Sequence, residues 1–211
     1  MDRGTSLKII ARRLEESAAL KRAVARDMAA EIESVAAMII AAFRADGKVV
    51  IFGNGGSAAD AQHIAGEMVG AFLVKRQAFP AIALNANTSV ITALANDYGY
   101  EAVFSRQVEA LVNRDDVVIG ISTSGESPSI IMAVKMAKIK GASTVGLTGG
   151  TGGRLSGEVD LALVVPSSVT PRIQEAHITI GHIVCELVER ELAEHPGYLR
   201  EKGVHGKSRI S

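Results

Sequence analysis

The stretch KVVIFGNGGSAAD, residues 48–60, decides the fold of this chain. An apolar run at 48–52 leads into a glycine-rich turn, and a helix-like segment follows at 61–70. This order of strand, turn and helix presents backbone N–H groups to an anion. The pattern returns at 117–128, where VVIGI runs into STSGESP. We therefore expect a phosphorylated ligand to lie between two loops that each follow a strand.

Common nucleotide-binding motifs are absent from both loops. The sequence contains no GxxxxGK[ST], which excludes a P-loop, and no GxGxxG follows the first strand. A phosphate bound by hydroxyl and amide groups needs neither motif.

Strands and helices alternate from residue 48 onward, which predicts an α/β fold. The predicted strands are apolar runs, as expected where helices cover both faces of a parallel sheet. They lie at 48–53, 80–84, 116–121, 143–147 and 160–165, with helices at 57–70, 88–96, 101–112, 128–140 and 172–194. Ligands of such sheets bind beyond the carboxyl ends of the strands. We therefore expect one face to carry Asn54, Gly55, Gly56, Ser57, Ser122, Thr123, Ser124 and Ser127.

A helical arm precedes this core. Apolar residues recur at three- and four-residue steps through 5–45, which predicts an amphipathic helix with no obvious partner inside one subunit. Packing against the core or against a second copy would cover its stripe, and we expect an oligomer. The predicted organisation is an arm at 1–46, an α/β domain at 47–195 and a polar tail at 196–211.

The composition indicates a compact protein of the cytoplasm. Hydrophobic residues make up 47% of the chain, and 23 basic side chains balance 23 acidic ones. A formal charge of zero disfavours nucleic-acid and membrane binding. The single cysteine, Cys185, fits a reducing compartment. Charged residues interrupt the N-terminal apolar positions, so we expect no signal peptide, and no run of eighteen apolar residues occurs.

Acid–base and metal-binding candidates follow the two loops. His63 and Glu67 are spaced i, i+4 on one helix face, and the last helix carries Gln174, His177 and His182. Imidazole and carboxylate groups can bind zinc or act as acid and base. A surface His–Glu pair and an unrelated core histidine are the alternative. About 12 Å of helix rise separates Gln174 from His182. Both reach one metal only if Gln174 lies at a frayed helix start or if one of them serves a neighbouring subunit.

Together these segments resemble the SIS-domain sugar isomerases, and specifically the bacterial sedoheptulose 7-phosphate isomerases, or phosphoheptose isomerases. The similarity covers nearly the whole chain. It rests on GNGGSAADAQHIAGEMVG (53–70), PAIALN (80–85), NDYGYEAVFSRQVEAL (96–111), DDVVIGISTSGESP (115–128), GLTGGTGG (146–153) and RIQEAHITIGHIVCELVE (172–189).

The resemblance implies a flavodoxin-like five-stranded parallel sheet and a homotetramer with active sites between subunits. It implies conversion of D-sedoheptulose 7-phosphate to D-glycero-D-manno-heptose 7-phosphate, an early step of heptose biosynthesis for lipopolysaccharide. It also implies one zinc ion per subunit, held by His63, Glu67, Gln174 and His182. The substrate contacts that it implies are Asn54, Gly55, Gly56, Glu67, Asn96, Asp97, Ser122, Thr123, Ser124, Ser127 and Gln174.

The chemistry of an aldose–ketose isomerase suits two of these residues. The reaction moves a proton between C1 and C2 through an enediol, which needs a base and an acid. Glu67 is the candidate base and His182 the candidate acid. A zinc ion would stabilise the enediolate, but a metal-bound Glu67 is a weaker base, so its two roles compete.

Two other functions stay open at this point. One is a non-catalytic SIS-domain regulator that binds the replication initiator DnaA, and the other is isomerisation of another ketose phosphate. That regulator lacks the catalytic glutamate and the final histidine, whereas Glu67 and His182 are both present here. Two departures from the isomerases concern the substrate. Ala71 stands where many carry arginine, and Glu126 replaces an asparagine, changes that weaken anion binding if both side chains face the phosphate.

Overall fold

A computed structural model describes residues 2–194, so the predicted polar tail at 196–211 lies outside the described residues. Within residues 2–194, no helix combines the length and the apolar character needed to cross a membrane. In chain order, the elements are α1 (Arg3–Asp27), α2 (Ala29–Arg44), β1 (Val49–Gly53), α3 (Gly56–Val69), β2 (Ala81–Ala83), α4 (Thr88–Tyr98), a 3₁₀ turn (Tyr100–Ala102), α5 (Val103–Leu111), β3 (Val117–Ile121), α6 (Pro128–Ile139), β4 (Ser143–Gly149), α7 (Gly153–Ser156), β5 (Leu161–Val165) and α8 (Thr170–Glu194).

The five strands form one parallel sheet in the order β2-β1-β3-β4-β5. This order confirms the predicted flavodoxin-like α/β fold. The strand order reverses between β1 and β3, whose last residues, Gly53 and Ile121, are paired in the sheet. The two polar loops therefore leave the sheet side by side at its switch point.

Helices cover both faces of the sheet, as the apolar strands predict. Val49 and Ile51 of β1 pack into a cluster with residues of α2, α3 and α8. Val50 and Phe52 point the other way, into a cluster with α5 and α6. All four side chains are fully buried, so β1 is the central support of the site.

The N-terminal segment differs from the predicted single helix over 5–45. It breaks at Met28, whose backbone leaves the helical region (φ −129°, ψ 7°). The α2 part is not an unpartnered arm, because Ile32, Val35 and Ile39 are buried in the chain's own core. The first half of α1 does expose its apolar positions. Leu7, Ile10 and Leu14 are 57%, 55% and 67% exposed.

Candidate active site

Two helices bring three predicted ligand side chains together. Helix α3 carries His63 and Glu67, with Nε2 of the imidazole 3.1 Å from Oε1 of the carboxylate. Helix α8 places Nε2 of His182 at 2.9 Å from Nε2 of His63. One ligand atom from each residue lies within 4.8 Å of the other two. We call these three residues the His–Glu–His cluster.

A glycine lets the two helices approach each other. A Cβ atom built on Gly181, the residue before His182, would lie 2.6 Å from Cδ1 of Ile64, the residue after His63. Ile64 is buried, so its side chain has little room to move. Any larger residue at 181 would push α8 away from α3. The close crossing of these helices is therefore part of the geometry of the cluster.

The cluster is open to solvent on one side and supported on the other. His63 has 47% of its side chain exposed and Glu67 has 27%. The ring of Phe72 stacks on His182, with ring centroids 5.4 Å apart and an interplanar angle of 25°. One turn before His63, burial raises the pKa of the Asp60 carboxyl, although the imidazole of His63 acts in the opposite direction.

The donor set fits a zinc ion. Two imidazole nitrogens and one carboxylate oxygen are ligands that zinc commonly takes. Without an ion, the two facing Nε2 atoms can share only one proton in their hydrogen bond. An ion bound between them would use both lone pairs and the carboxylate oxygen.

Gln174, the fourth implied zinc ligand, lies near the start of α8, with its amide against the first loop. A Cβ built on Gly56 would lie 2.3 Å from its Nε2 atom. Helix α8 is continuous from Thr170 through His182, so Gln174 does not lie at a frayed helix start. Its place as a zinc ligand stays a prediction.

The neighbouring histidine is part of the core. His177 is fully buried, and its Nε2 lies 3.1 Å from the backbone oxygen of Thr148 in β4. Burial lowers its pKa to about 4, although the bond to Thr148 acts in the opposite direction. A neutral imidazole that ties α8 to β4 has a structural role.

The loop after β3 arranges hydroxyl groups at the start of α6. Oγ of Ser122 lies 3.1 Å from Oγ of Ser127, and Oγ of Ser124 accepts a hydrogen bond from the N–H of Glu126. Thr123 is half-buried beside them. Ser127 precedes α6 but makes no side-chain cap to it, and Gly55 likewise leaves α3 without a side-chain cap. Neither helix N-terminus next to these loops is therefore capped by a side chain.

The loop after β1 is tied to its neighbours through Asn54. Its Oδ1 accepts a hydrogen bond of 2.7 Å from the hydroxyl of Tyr100, and its Nδ2 donates one of 3.1 Å to Oγ of Ser129. Ser57, in the first turn of α3, is buried. Asn54 therefore links the first loop to the 3₁₀ turn and to the first turn of α6, through two residues, Tyr100 and Ser129, that sequence reasoning missed.

The remaining implied contacts lie at the end of α4. Asn96 and Asp97 are both exposed, and Nδ2 of Asn96 donates a hydrogen bond of 2.8 Å to Oδ1 of Asp97. The structure thus places them on the surface, bonded to each other and not within the His–Glu–His cluster.

Comparisons with known proteins agree with this geometry. Residues 14–149 match the family model described as the SIS domain. The chain is 54% identical over 183 residues to the phosphoheptose isomerase of Pelobacter propionicus, covering 87% of this chain and 97% of that protein. This chain belongs to the phosphoheptose isomerase family of SIS-domain proteins.

Solved structures of phosphoheptose isomerases share the fold. The enzyme from Neisseria gonorrhoeae superposes with a TM-score of 0.83 at 39% identity, covering 87% of this chain and 98% of that one. The enzyme from Francisella tularensis has a TM-score of 0.85 at 36% identity, with coverages of 88% and 98%.

The two departures from the family pattern have structural explanations. Oε1 of Glu126 accepts a hydrogen bond of 2.9 Å from the backbone N–H of Arg154, at the start of α7. This hydrogen bond ties Glu126 to the start of α7. Near Ala71, the following loop does carry an arginine, Arg76, but its guanidinium is paired with the buried Glu189. It does not replace a phosphate-binding cation.

Proposed function

We propose that this chain is a phosphoheptose isomerase that converts D-sedoheptulose 7-phosphate to D-glycero-D-manno-heptose 7-phosphate. The observation that carries the proposal is the convergence of His63, Glu67 and His182 in a chain whose two polar loops lead into helices without side-chain caps. Heptose biosynthesis in the cytoplasm is the setting in which such an activity belongs.

Glu67 is the base in this proposal. Its carboxylate takes a proton from C1 of the open-chain ketose, which leaves an enediol, and returns a proton to C2. His182 carries protons for the oxygens, giving one to O2 and receiving one from O1. Stacking against Phe72 holds its ring in one orientation while it does so.

A zinc ion in each subunit would be held by His63, Glu67 and His182, with Gln174 of a neighbouring subunit as the fourth ligand. When bound, it supplies positive charge that polarises the carbonyl and stabilises an enediolate. Coordination would make the Glu67 carboxylate less basic, so its roles as ligand and as base would compete.

The substrate phosphate would bind at the loop after β3. Ser122, Thr123, Ser124 and Ser127 offer hydroxyls beside the uncapped N-terminus of α6, a combination that holds anions without a lysine. The sugar would extend from there toward the metal, past the remaining implied contacts, which are Asn54, Gly55, Gly56, Ser57, Asn96, Asp97 and Gln174.

A homotetramer is the assembly that we propose. The first half of α1 exposes Leu7, Ile10 and Leu14. A further apolar groove of about 250 Å³ lies between α1, α2 and α8, lined in part by Ile183 and Leu187. Second copies of the chain packed on these surfaces would bury them and bring the subunits close to α8, which carries His182.

The experiment that tests this function is incubation with D-sedoheptulose 7-phosphate, with the product identified by NMR. We expect the aldose D-glycero-D-manno-heptose 7-phosphate. Exhaustive chelation should abolish the conversion, and added zinc should restore it. Binding of the ketose without conversion would fit a non-catalytic regulator, and faster conversion of another ketose phosphate would overturn the assigned substrate. A protein shown to be metal-free that keeps the original rate would reject the zinc proposal.

A further inference from the structure

A buried ion pair lies behind the His–Glu–His cluster. Arg76 comes from the loop between α3 and β2, and Glu189 lies on α8, two turns beyond His182. Nε of the guanidinium is 2.8 Å from Oε1 of the carboxylate, and each side chain is only 2% exposed. The guanidinium also lies over the ring of Phe79, 3.8 Å from its centroid. Packing on every side therefore holds this pair in place.

Arg76 fixes the end of α3. Its Nη2 donates a hydrogen bond of 2.9 Å to the backbone oxygen of Glu67, and its Nη1 donates one of 2.9 Å to that of Met68. The last carbonyl groups of a helix have no partner within the helix, so a cation that binds them anchors the final turn. That turn contains the candidate base.

Glu189 fixes the loop that follows α3. Its carboxylate accepts backbone hydrogen bonds from Phe72, Leu73 and Val74, at 2.9, 2.6 and 3.1 Å. Burial on its own raises the pKa of a carboxyl, but these three donors and the nearby Arg76 hold the pKa of Glu189 below its ordinary value. The first of the three residues, Phe72, is the one whose ring stacks on His182.

We propose that Arg76 and Glu189 are positioning residues for the His–Glu–His cluster. They clamp the last turn of α3 to α8 and hold Phe72 against His182, so that the three ligand atoms converge. Neither side chain touches the reacting atoms. This proposal rests on the proposed function only where enzyme activity is measured. Zinc affinity and the histidine NMR signals report the arrangement of the three ligands without substrate.

A second ion pair provides a matched control. Asp116 is also 2% exposed, and its carboxylate binds Nζ of Lys48 at 2.6 Å. It accepts backbone hydrogen bonds from Lys48 and Asn113, at 2.9 and 2.7 Å. These residues precede β1 and β3 and lie outside α3, α8 and the loop that carries Arg76. Loss of this pair should reduce stability without moving the cluster.

The test compares zinc affinity in Arg76→Lys, Glu189→Gln and Asp116→Asn. Lysine keeps the charge of Arg76 but cannot reproduce its planar fork of donors. Residues that orient metal ligands typically contribute 10- to 100-fold in affinity. We therefore expect the zinc dissociation constant, measured by competition with a chromophoric chelator, to rise about 10- to 100-fold in Arg76→Lys and Glu189→Gln. Asp116→Asn should bind zinc with the affinity of the wild type, even if its melting temperature falls by as much as those of Arg76→Lys and Glu189→Gln.

Two further readouts separate this proposal from the proposed function. The imidazole NMR signals of His63 and His182 in the metal-free protein should shift in Arg76→Lys and stay in place in Asp116→Asn. With substrate, kcat should fall more than KM rises. A wild-type protein that binds zinc without isomerising sugars would contradict the proposed function but not the positioning role of Arg76 and Glu189. Folded Arg76→Lys and Glu189→Gln proteins with wild-type zinc affinity and unshifted histidine signals would overturn the positioning role.

Discussion

The hydroxyl of Ser127 is bonded to Ser122 and does not cap the helix that it precedes. The sequence Ser127-Pro128 is an ordinary helix start, and capping would have been a sufficient reason for the serine. In the structure this hydroxyl belongs to a half-buried residue of the loop and has no capping role. This arrangement favours a ligand role for the loop.

Replacing the loop hydroxyls should weaken substrate binding. A hydrogen bond to a charged group contributes roughly 1.5–3 kcal/mol, so the double variant Ser124→Ala/Ser127→Ala should raise KM at least about tenfold. The control is Ser34→Ala, because Ser34 bonds only to a carbonyl of its own helix, α2. Calorimetry with the phosphorylated sugar measures the affinity directly. Equal affinities in the double variant and the wild type would show that the phosphate binds elsewhere.

At the level of helices and strands, the sequence predicted the sheet well, because buried parallel strands are continuous apolar runs. β1 and β3 are such runs, and both are fully buried. The break at Met28 and the four-residue α7 were missed. Neither is marked by proline, and α7 is too short to show a periodic pattern.

The close packing of α3 against α8 could not be predicted from apolar runs. Its contribution to the free energy of unfolding can be tested by substitution. Gly181→Ala places a Cβ 2.6 Å from Cδ1 of Ile64, and overpacking of this kind costs about 1–3 kcal/mol of unfolding free energy. Gly66→Ala, on α3 itself, has open space around the new methyl group and should leave stability unchanged or raise it. Denaturant unfolding measures both. Equal unfolding free energies of the two variants would mean that α3 and α8 can move apart without cost, and would contradict a tightly packed crossing at Gly181.

For the molecule as a whole, spacing along the chain predicted two of the three cluster residues. His63 and Glu67 are one helical turn apart, so their shared face follows from the sequence. His182 lies 119 residues further on, and only the sheet topology brings it to His63. The ion pair between Arg76 and Glu189 joins residues 113 positions apart. The sequence near each residue shows only a charge in apolar surroundings, which does not predict its partner. His182 was a candidate on the last helix from its residue type and from the family resemblance, whereas the clamp formed by Arg76 and Glu189 required the structure.

The most direct test of the proposed chemistry follows one proton. Wild-type protein, Glu67→Gln and the surface control Glu109→Gln are each loaded with zinc and incubated with D-sedoheptulose 7-phosphate in D₂O. Their products are then examined by NMR. A carboxylate that takes the C1 proton exchanges it with solvent, so wild type and Glu109→Gln should form the aldose with deuterium at C2. Glu67→Gln should turn over about 10²- to 10⁴-fold more slowly. A Glu67→Gln protein that keeps more than about a tenth of the rate would contradict the assignment of Glu67 as the base.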